Sequence, residues 1–183
     1  MSSDRPYKTE TSEFRDRWID YILTLQKNIC QALEATDGKA VFGEDDWQRS
    51  QSQGGGGKTR TIANGNVFEK AGVNTSVVYG SVSNAMRKEL LIEADKWFAC
   101  GLSLVLHPVN PYVPTVHANW RYFELYDEAG YCIDNWFGGG TDLTPYYLFE
   151  EDARPFHQTI KDSIDPFGAQ LYPLYQENLQ QFF

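Results

Sequence analysis

Apolar side chains recur at three- and four-residue steps from Phe14 through Trp18, Tyr21, Ile22, Leu25 and Ile29 to Leu33. That spacing gathers them on one face and predicts an amphipathic helix. Thr11 or Ser12 is placed to cap its start, and Gly38 to end it. Residues 1–10 are polar and predict a flexible N-terminal segment. Residues 43–57 are acidic, then polar, then a run of glycines, and predict a loop. Strands are predicted over residues 59–63, 67–68 and 73–79, with Asn64-Gly65 as a turn. Residues 86–96 have helical spacing through Leu90, Leu91 and Ala94. Residues 97–106 are almost wholly apolar and predict a buried strand. Residues 117–126 alternate and predict its partner.

Between those two strands lies His107-Pro-Val-Asn-Pro-Tyr-Val-Pro-Thr-Val-His117. Its prolines and the residues they restrict predict a stiff, extended connection. A further strand over residues 131–137 runs into Gly138-Gly-Gly140. Two helices are predicted after it, over residues 150–162 and 169–183, broken at Pro166-Phe167-Gly168. The links between strands are too short for helical crossovers. The expected fold is therefore α+β, a largely antiparallel sheet flanked by helices.

The chain has 183 residues, enough for one domain with a real core, expected over residues 11–183. Its net charge of −9 argues against nucleic acid and anionic membrane surfaces as partners. An anionic substrate would need a locally basic site against that background. The aromatic share of 15% is high; aromatics can fill a core, and they also wall pockets for flat ligands. Cys30, Cys100 and Cys132 are odd in number and form no CxxC, which points to free thiols in a reducing compartment. The N-terminus does not read as a signal peptide and no apolar run has the length of a membrane span, so the cytoplasm is the expected location.

Four groups of residues carry candidate chemistry. Gly54-Gly-Gly-Gly-Lys58-Thr59 evokes a phosphate loop, but Ser52 stands where that motif needs a glycine, and the β-branched residues after it do not open a helix. It predicts either a plain surface loop or a flexible arm bringing Lys58 and Arg60 to an anion. His107, His117 and His157 are the only histidines. The first two end strands on one loop, so they either converge on a site or make ordinary hydrogen bonds. On the strand His117-Ala-Asn119-Trp120-Arg121, alternation puts His117, Asn119 and Arg121 on one face and Trp120 on the other. An acid/base, an amide and a guanidinium together suit an acidic organic molecule. The alternative is a solvated face with an ion pair such as Arg121 to Glu124. In Trp136-Phe-Gly-Gly-Gly-Thr-Asp142-Leu-Thr-Pro145, the glycines permit close approach of a ligand or another chain. Asp142, expected in a loop, either accepts from ligand N–H groups or forms an Asx-turn or helix cap.

These residues resemble the oxygen-dependent coproporphyrinogen III oxidases of haem and chlorophyll synthesis. The resemblance rests on Asp45-Asp-Trp-Gln-Arg49, Gly54-Gly-Gly-Gly-Lys58-Thr-Arg60, Val67-Phe-Glu-Lys-Ala-Gly-Val-Asn74, the whole of residues 107–121, residues 136–145 and Phe149-Glu-Glu-Asp-Ala153. It implies oxidative decarboxylation of two propionates of coproporphyrinogen III to vinyl groups, giving protoporphyrinogen IX. The co-substrate is O₂, the by-products are CO₂ and hydrogen peroxide, and no flavin or haem takes part. By resemblance, His117 is the proton donor. Ser103, Asn119, Trp120 and Arg121 bind substrate, and Asp142 contacts pyrrole N–H groups. His107, His117 and His157 match histidines proposed to hold a divalent metal. The resemblance further implies an antiparallel sheet flanked by helices, and homodimers. Family members continue past Phe183, so the chain is expected to be the N-terminal portion of the enzyme. Two other functions stay open at this point: a tetrapyrrole-binding fragment without activity, and a metal-dependent oxygenase or hydrolase on a β scaffold.

Overall fold

In the computed structural model, which describes residues 12–50 and 54–180, six strands pair in chain order into one antiparallel sheet. They are β1 (Gly43–Gln48), β2 (Gly54–Ala63), β3 (Phe68–Ser81), β4 (Lys96–Pro108), β5 (Thr115–Tyr126) and β6 (Cys132–Thr144). Helix α1 (Ser12–Asp37) precedes the sheet, and α2 (Asn84–Leu90) joins β3 to β4. The α+β expectation holds. The described residues divide into two compact units, with the boundary between Pro145 and Tyr146. The expectations for residues 1–10, for Thr11 as a cap and for the last residues of the chain lie outside the described residues.

The predicted periodicity of α1 becomes packing. Ile19, Ile22 and Cys30 are buried against Val73, Phe98, Cys100, Leu102, Tyr122 and Tyr126 on what we call the inner face of the sheet. Full burial of Ile22 alone contributes about 1.5–3 kcal/mol. Burial pushes the Cys100 thiol up to about 12, with the negative charge of Glu124 adding to the effect. All three cysteines are free, Cys30 and Cys100 in buried positions. Among the described residues no helix is long and apolar enough to cross a membrane.

Asp37 fastens the end of α1 to the β2–β3 turn. Its carboxylate accepts backbone N–H groups of Ala40 at 2.9 Å, Phe68 at 3.0 Å, Val67 at 2.9 Å and Asn66 at 3.1 Å. The bonds from Ala40 and Phe68 act most strongly, and together the four hold Asp37 well below the usual carboxylate range. A depressed pKa stabilises the folded state above the ordinary carboxylate value, about 4, and that stability drains away as pH falls towards the lowered value. Asp37→Asn should therefore melt lower than the parent at pH 6, with the gap narrowing below pH of about 4. Melting curves from pH 6 down to 2 check this. A gap that stays constant would remove Asp37 as an acid-sensitive staple.

Several regions depart from the sequence-based expectation. Residues 43–48 and 54–57, expected as a loop, form β1 and the start of β2. Bare glycines make this pairing possible: a methyl group on Gly57 would stand 2.3 Å from the Thr75 carbonyl oxygen and 2.4 Å from the Trp47 ring. Residues 138–140 likewise continue β6. A methyl group on Gly139 would meet the Asn119 carbonyl oxygen at 2.1 Å, so β5 and β6 approach closely through it. The proline-rich connection shrinks to residues 109–114, because His107 and Pro108 still belong to β4 and Thr115 already belongs to β5. Helix α2 is also shorter than expected. It stops at Leu91, whose backbone is left-handed at φ 53°.

The second unit carries α3 (Glu150–Ile164), a 3-10 turn (Asp165–Phe167) and α4 (Leu171–Gln180). Glu150, Glu151 and Asp152 occupy the first turn of α3, where the helix dipole favours acids. The break at Pro166-Phe167-Gly168 falls where the sequence puts it.

Candidate active site

Residues directly opposed on neighbouring strands point to the same face of a sheet. The register therefore composes the outer face, opposite α1, in rows that cross all six strands. One row reads Asp45, Thr59, Asn74, Ser103, Asn119, Gly140. On one side of it runs Gly43, Thr61, Gly72, Val105, His117, Asp142. On the other runs Trp47, Gly57, Ser76, Gly101, Arg121, Gly138. The centre of this face is thus small, polar and glycine-rich. Ser103, Arg121, Gly138, Gly140 and Asp142 are exposed on it.

The two ends of the face differ in chemistry. Further along β5, Phe123 stacks on Trp97 at 6.0 Å between ring centroids and meets Trp136 at 4.7 Å. Trp97 and Leu125 also pack with Val82 and Ala94, so this end is an apolar, aromatic wall. The Arg49 guanidinium lies 5.4 Å from the centre of the Trp97 ring, within cation–π range. At the opposite end His117 Nδ1 lies 2.8 Å from Asp142 Oδ1. A carboxylate only accepts, so Nδ1 carries the proton and Nε2 is left for a ligand. His107 stands beside this pair, its ring edge-on to that of His117 at 6.4 Å. His107 Nδ1 is 3.5 Å from the hydroxyl of the buried Thr115.

The structure therefore brings His117, Asn119, Arg121, Ser103, His107 and Asp142 onto one face. His117 and Arg121 are separated along β5 by about 13 Å, four strand residues, which suits the two ends of one organic molecule. The ion pair suggested between Arg121 and Glu124 does not form, since Glu124 is on the inner face with Arg15. Among the described residues no carboxylate pairs with Arg121. Trp120 lies on the other face of the sheet from these residues, as strand alternation predicts. On that inner face it is opposed to Gly139 and Leu102 and is 39% exposed. Asp142 is a correction, being a strand residue directly opposed to His117 rather than a loop residue.

Lys58 and Arg60, weighed as an arm towards an anion, are paired with acids of β1. Lys58 bonds Glu44 and lies 3.2 Å from Asp46, and Arg60 bonds Glu44 at 2.7 Å. Both stand on the inner face and are tied to β1. His157 belongs to the second unit, where its Nδ1 is 2.9 Å from the Tyr172 hydroxyl. Zinc sites use three or four protein donors. Among the described residues no three His, Cys, Asp or Glu side chains are grouped to hold a metal ion. The sequence also passed over Thr115 and Thr144, which serve the histidine end of the face. The Asp142-Leu-Thr144 alternation puts Thr144 on the face of Asp142 once residues 138–144 are strand.

An open sheet face with convergent polar groups, a guanidinium that no carboxylate among the described residues pairs with, and an aromatic wall has the composition of a small-molecule enzyme site. The sequence model of the coproporphyrinogen III oxidase family matches residues 17–183, and the chain belongs to that family. It is accordingly an oxidoreductase of tetrapyrrole biosynthesis, with coproporphyrinogen III as the substrate the family implies.

Proposed function

We propose that the outer face of the sheet binds coproporphyrinogen III and that the protein converts two of its propionates to vinyl groups with O₂ as electron acceptor. Each step balances as one propionate carboxylate, one O₂ and one proton giving a vinyl group, CO₂ and hydrogen peroxide. The carbon chain loses two electrons and O₂ gains them. The observation that carries this reading is Arg121. In a chain of net charge −9 it stands exposed, without a carboxylate partner among the described residues, on the same face as the His117–Asp142 pair.

Arg121 holds a propionate with two parallel hydrogen bonds. Asn119 and Ser103 supply polar contacts in the neighbouring row, and the bare backbone at Gly138 and Gly140 lets the macrocycle lie close. Phe123 and Trp136 wall its apolar edge. His117 presents Nε2 to the ligand and serves as the proton donor in its imidazolium form, giving up the Nε2 proton and keeping the Nδ1–H that Asp142 holds. Asp142 orients His117 and accepts a pyrrole N–H.

The test is incubation of the protein with coproporphyrinogen III in air and under argon, with chromatography for the tetrapyrrole products. Product in air and none under argon is expected. Saturable binding without product would reduce the protein to a tetrapyrrole carrier. Arg121→Ala should raise KM about tenfold or more with a much smaller effect on kcat, because it removes a contact made equally in the ground and transition states. Unchanged kinetics would take Arg121 out of the site.

A further inference from the structure

The two oxygens of the Asp142 carboxylate have unequal surroundings. Oδ1 accepts from His117 Nδ1 at 2.8 Å and from the Thr144 hydroxyl at 3.2 Å. Among the described residues no group bonds Oδ2. Thr144 stands two residues beyond Asp142 on β6 and so shares its face. It is the last residue of the strand, and Pro145 follows. A proline restricts the residue before it to extended backbone, which keeps the Thr144 hydroxyl beside Asp142. Thr144 is also directly opposed to Thr115, the residue beside His107. The histidine end of the face is thus lined at its strand termini by two hydroxyl side chains.

This arrangement answers a physical difficulty. Asp142 is 58% exposed and His117 43% exposed, so neither is held by burial. A single hydrogen bond between two such side chains leaves both free to swing. A second donor on the same oxygen fixes the carboxylate plane, and with it the direction of the other oxygen. Fixing these groups before the ligand arrives removes an entropy cost from binding and from the reaction.

We propose that Thr144 is a positioning residue: its hydroxyl fixes the Asp142 carboxylate so that Oδ1 holds His117 in its Nδ1–H form while Oδ2 stays directed at an N–H donor of the ligand, a pyrrole. The part that concerns the ligand rests on the function proposed above. The part that concerns His117 does not.

The experiment uses the full chain labelled with ¹⁵N-histidine. The ¹⁵N shifts of His117, assigned by loss of its signals in His117→Ala, report which ring nitrogen carries the proton. Thr144→Val removes the hydroxyl and keeps the branched shape, and Thr144→Ser restores a hydroxyl. Thr144→Val should shift the ratio of the two neutral forms away from Nδ1–H by about three- to tenfold, the effect of losing one hydrogen bond. It should lower kcat for coproporphyrinogen III by a similar factor, and Thr144→Ser should recover most of both. Should Thr144→Val fail to fold, Thr144→Ala carries the same readout. An unchanged ratio of forms overturns the positioning role, whatever the activity. A shifted ratio in a parent protein that never turns over coproporphyrinogen III upholds Thr144 and sinks the proposed function. A shifted ratio with kcat and KM untouched in an active parent overturns the assignment of Oδ2 to the ligand.

Discussion

Glu124→Ala should destabilise the sheet unit by about 3–5 kcal/mol, the range expected when one partner of a buried ion pair is removed. Glu124 has no solvent exposure, and Arg15 is almost equally buried beneath α1. The Arg15 guanidinium donates to Glu124 at 3.3 Å and to the Tyr126 hydroxyl at 3.1 Å, while stacking over Phe98 at 4.9 Å. Tyr122 donates to Glu124 at 3.0 Å, and Tyr126 donates to it as well. Burial first, then the bond to Glu124 and its charge, push the Tyr126 phenol far above its usual range, so it stays a neutral donor. Truncating Glu124 removes the buried carboxylate that a buried guanidinium and two buried phenols share. The double variant Arg15→Met/Glu124→Leu should lose much less than the sum of the two single losses, because it removes both charges. Urea unfolding of the parent, Arg15→Met, Glu124→Leu and the double variant measures this. Strict additivity would mean that the pair does not couple.

That network bears on the site through the strand it holds. Glu124 lies three residues from Arg121 on β5 and on the opposite face. By clamping α1 to the inner side of β5, it holds in place the strand that presents His117, Asn119 and Arg121. The charges of the inner face are structural, as with Lys58 and Arg60 on Glu44. On the outer face, Arg121 has no carboxylate partner among the described residues.

How much of this was legible in the sequence follows from which rule each residue obeys. The α1 stripe was legible because burial of one helical face leaves a three- and four-residue period. The His117–Asn119–Arg121 face was legible because strand alternation depends only on parity. Trp120 carries two readings at once: the family match puts it in the substrate-binding run, and its parity puts it on the other side of the sheet from His117, Asn119 and Arg121. Glycine was the main obstacle. At residues 54–57 and 138–140 it signals a loop by propensity, yet here it lets strands approach more closely than a side chain allows. A loop-like signal at the second run hides the cross-strand pairing of His117 with Asp142, and with it Thr144. The pairing of Lys58 and Arg60 with Glu44 was out of reach for a related reason. It needs β1, and β1 is an acidic, exposed edge strand with no apolar alternation to announce it.

His117→Ala should lower kcat for coproporphyrinogen III by about 10², the contribution typical of a placed general acid or base. KM should move much less. His117 offers the ligand one nitrogen, whereas Arg121 offers a charge, so the two substitutions should separate: His117→Ala in kcat, Arg121→Ala in KM. The exposure of His117 adds a second check. A side chain open to solvent on a sheet face leaves a space that a small solute can enter, so added imidazole should restore part of the lost turnover in His117→Ala. Asp142→Asn should respond less to imidazole, because His117 is still present there and only its orientation is lost. Loss of kcat and KM together in His117→Ala, with a lowered melting temperature and no response to imidazole, would make His117 a structural member of the Asp142–Thr144 cluster. The proton donor would then have to be sought elsewhere, with His107, 6.4 Å away between ring centroids, as the next group to replace.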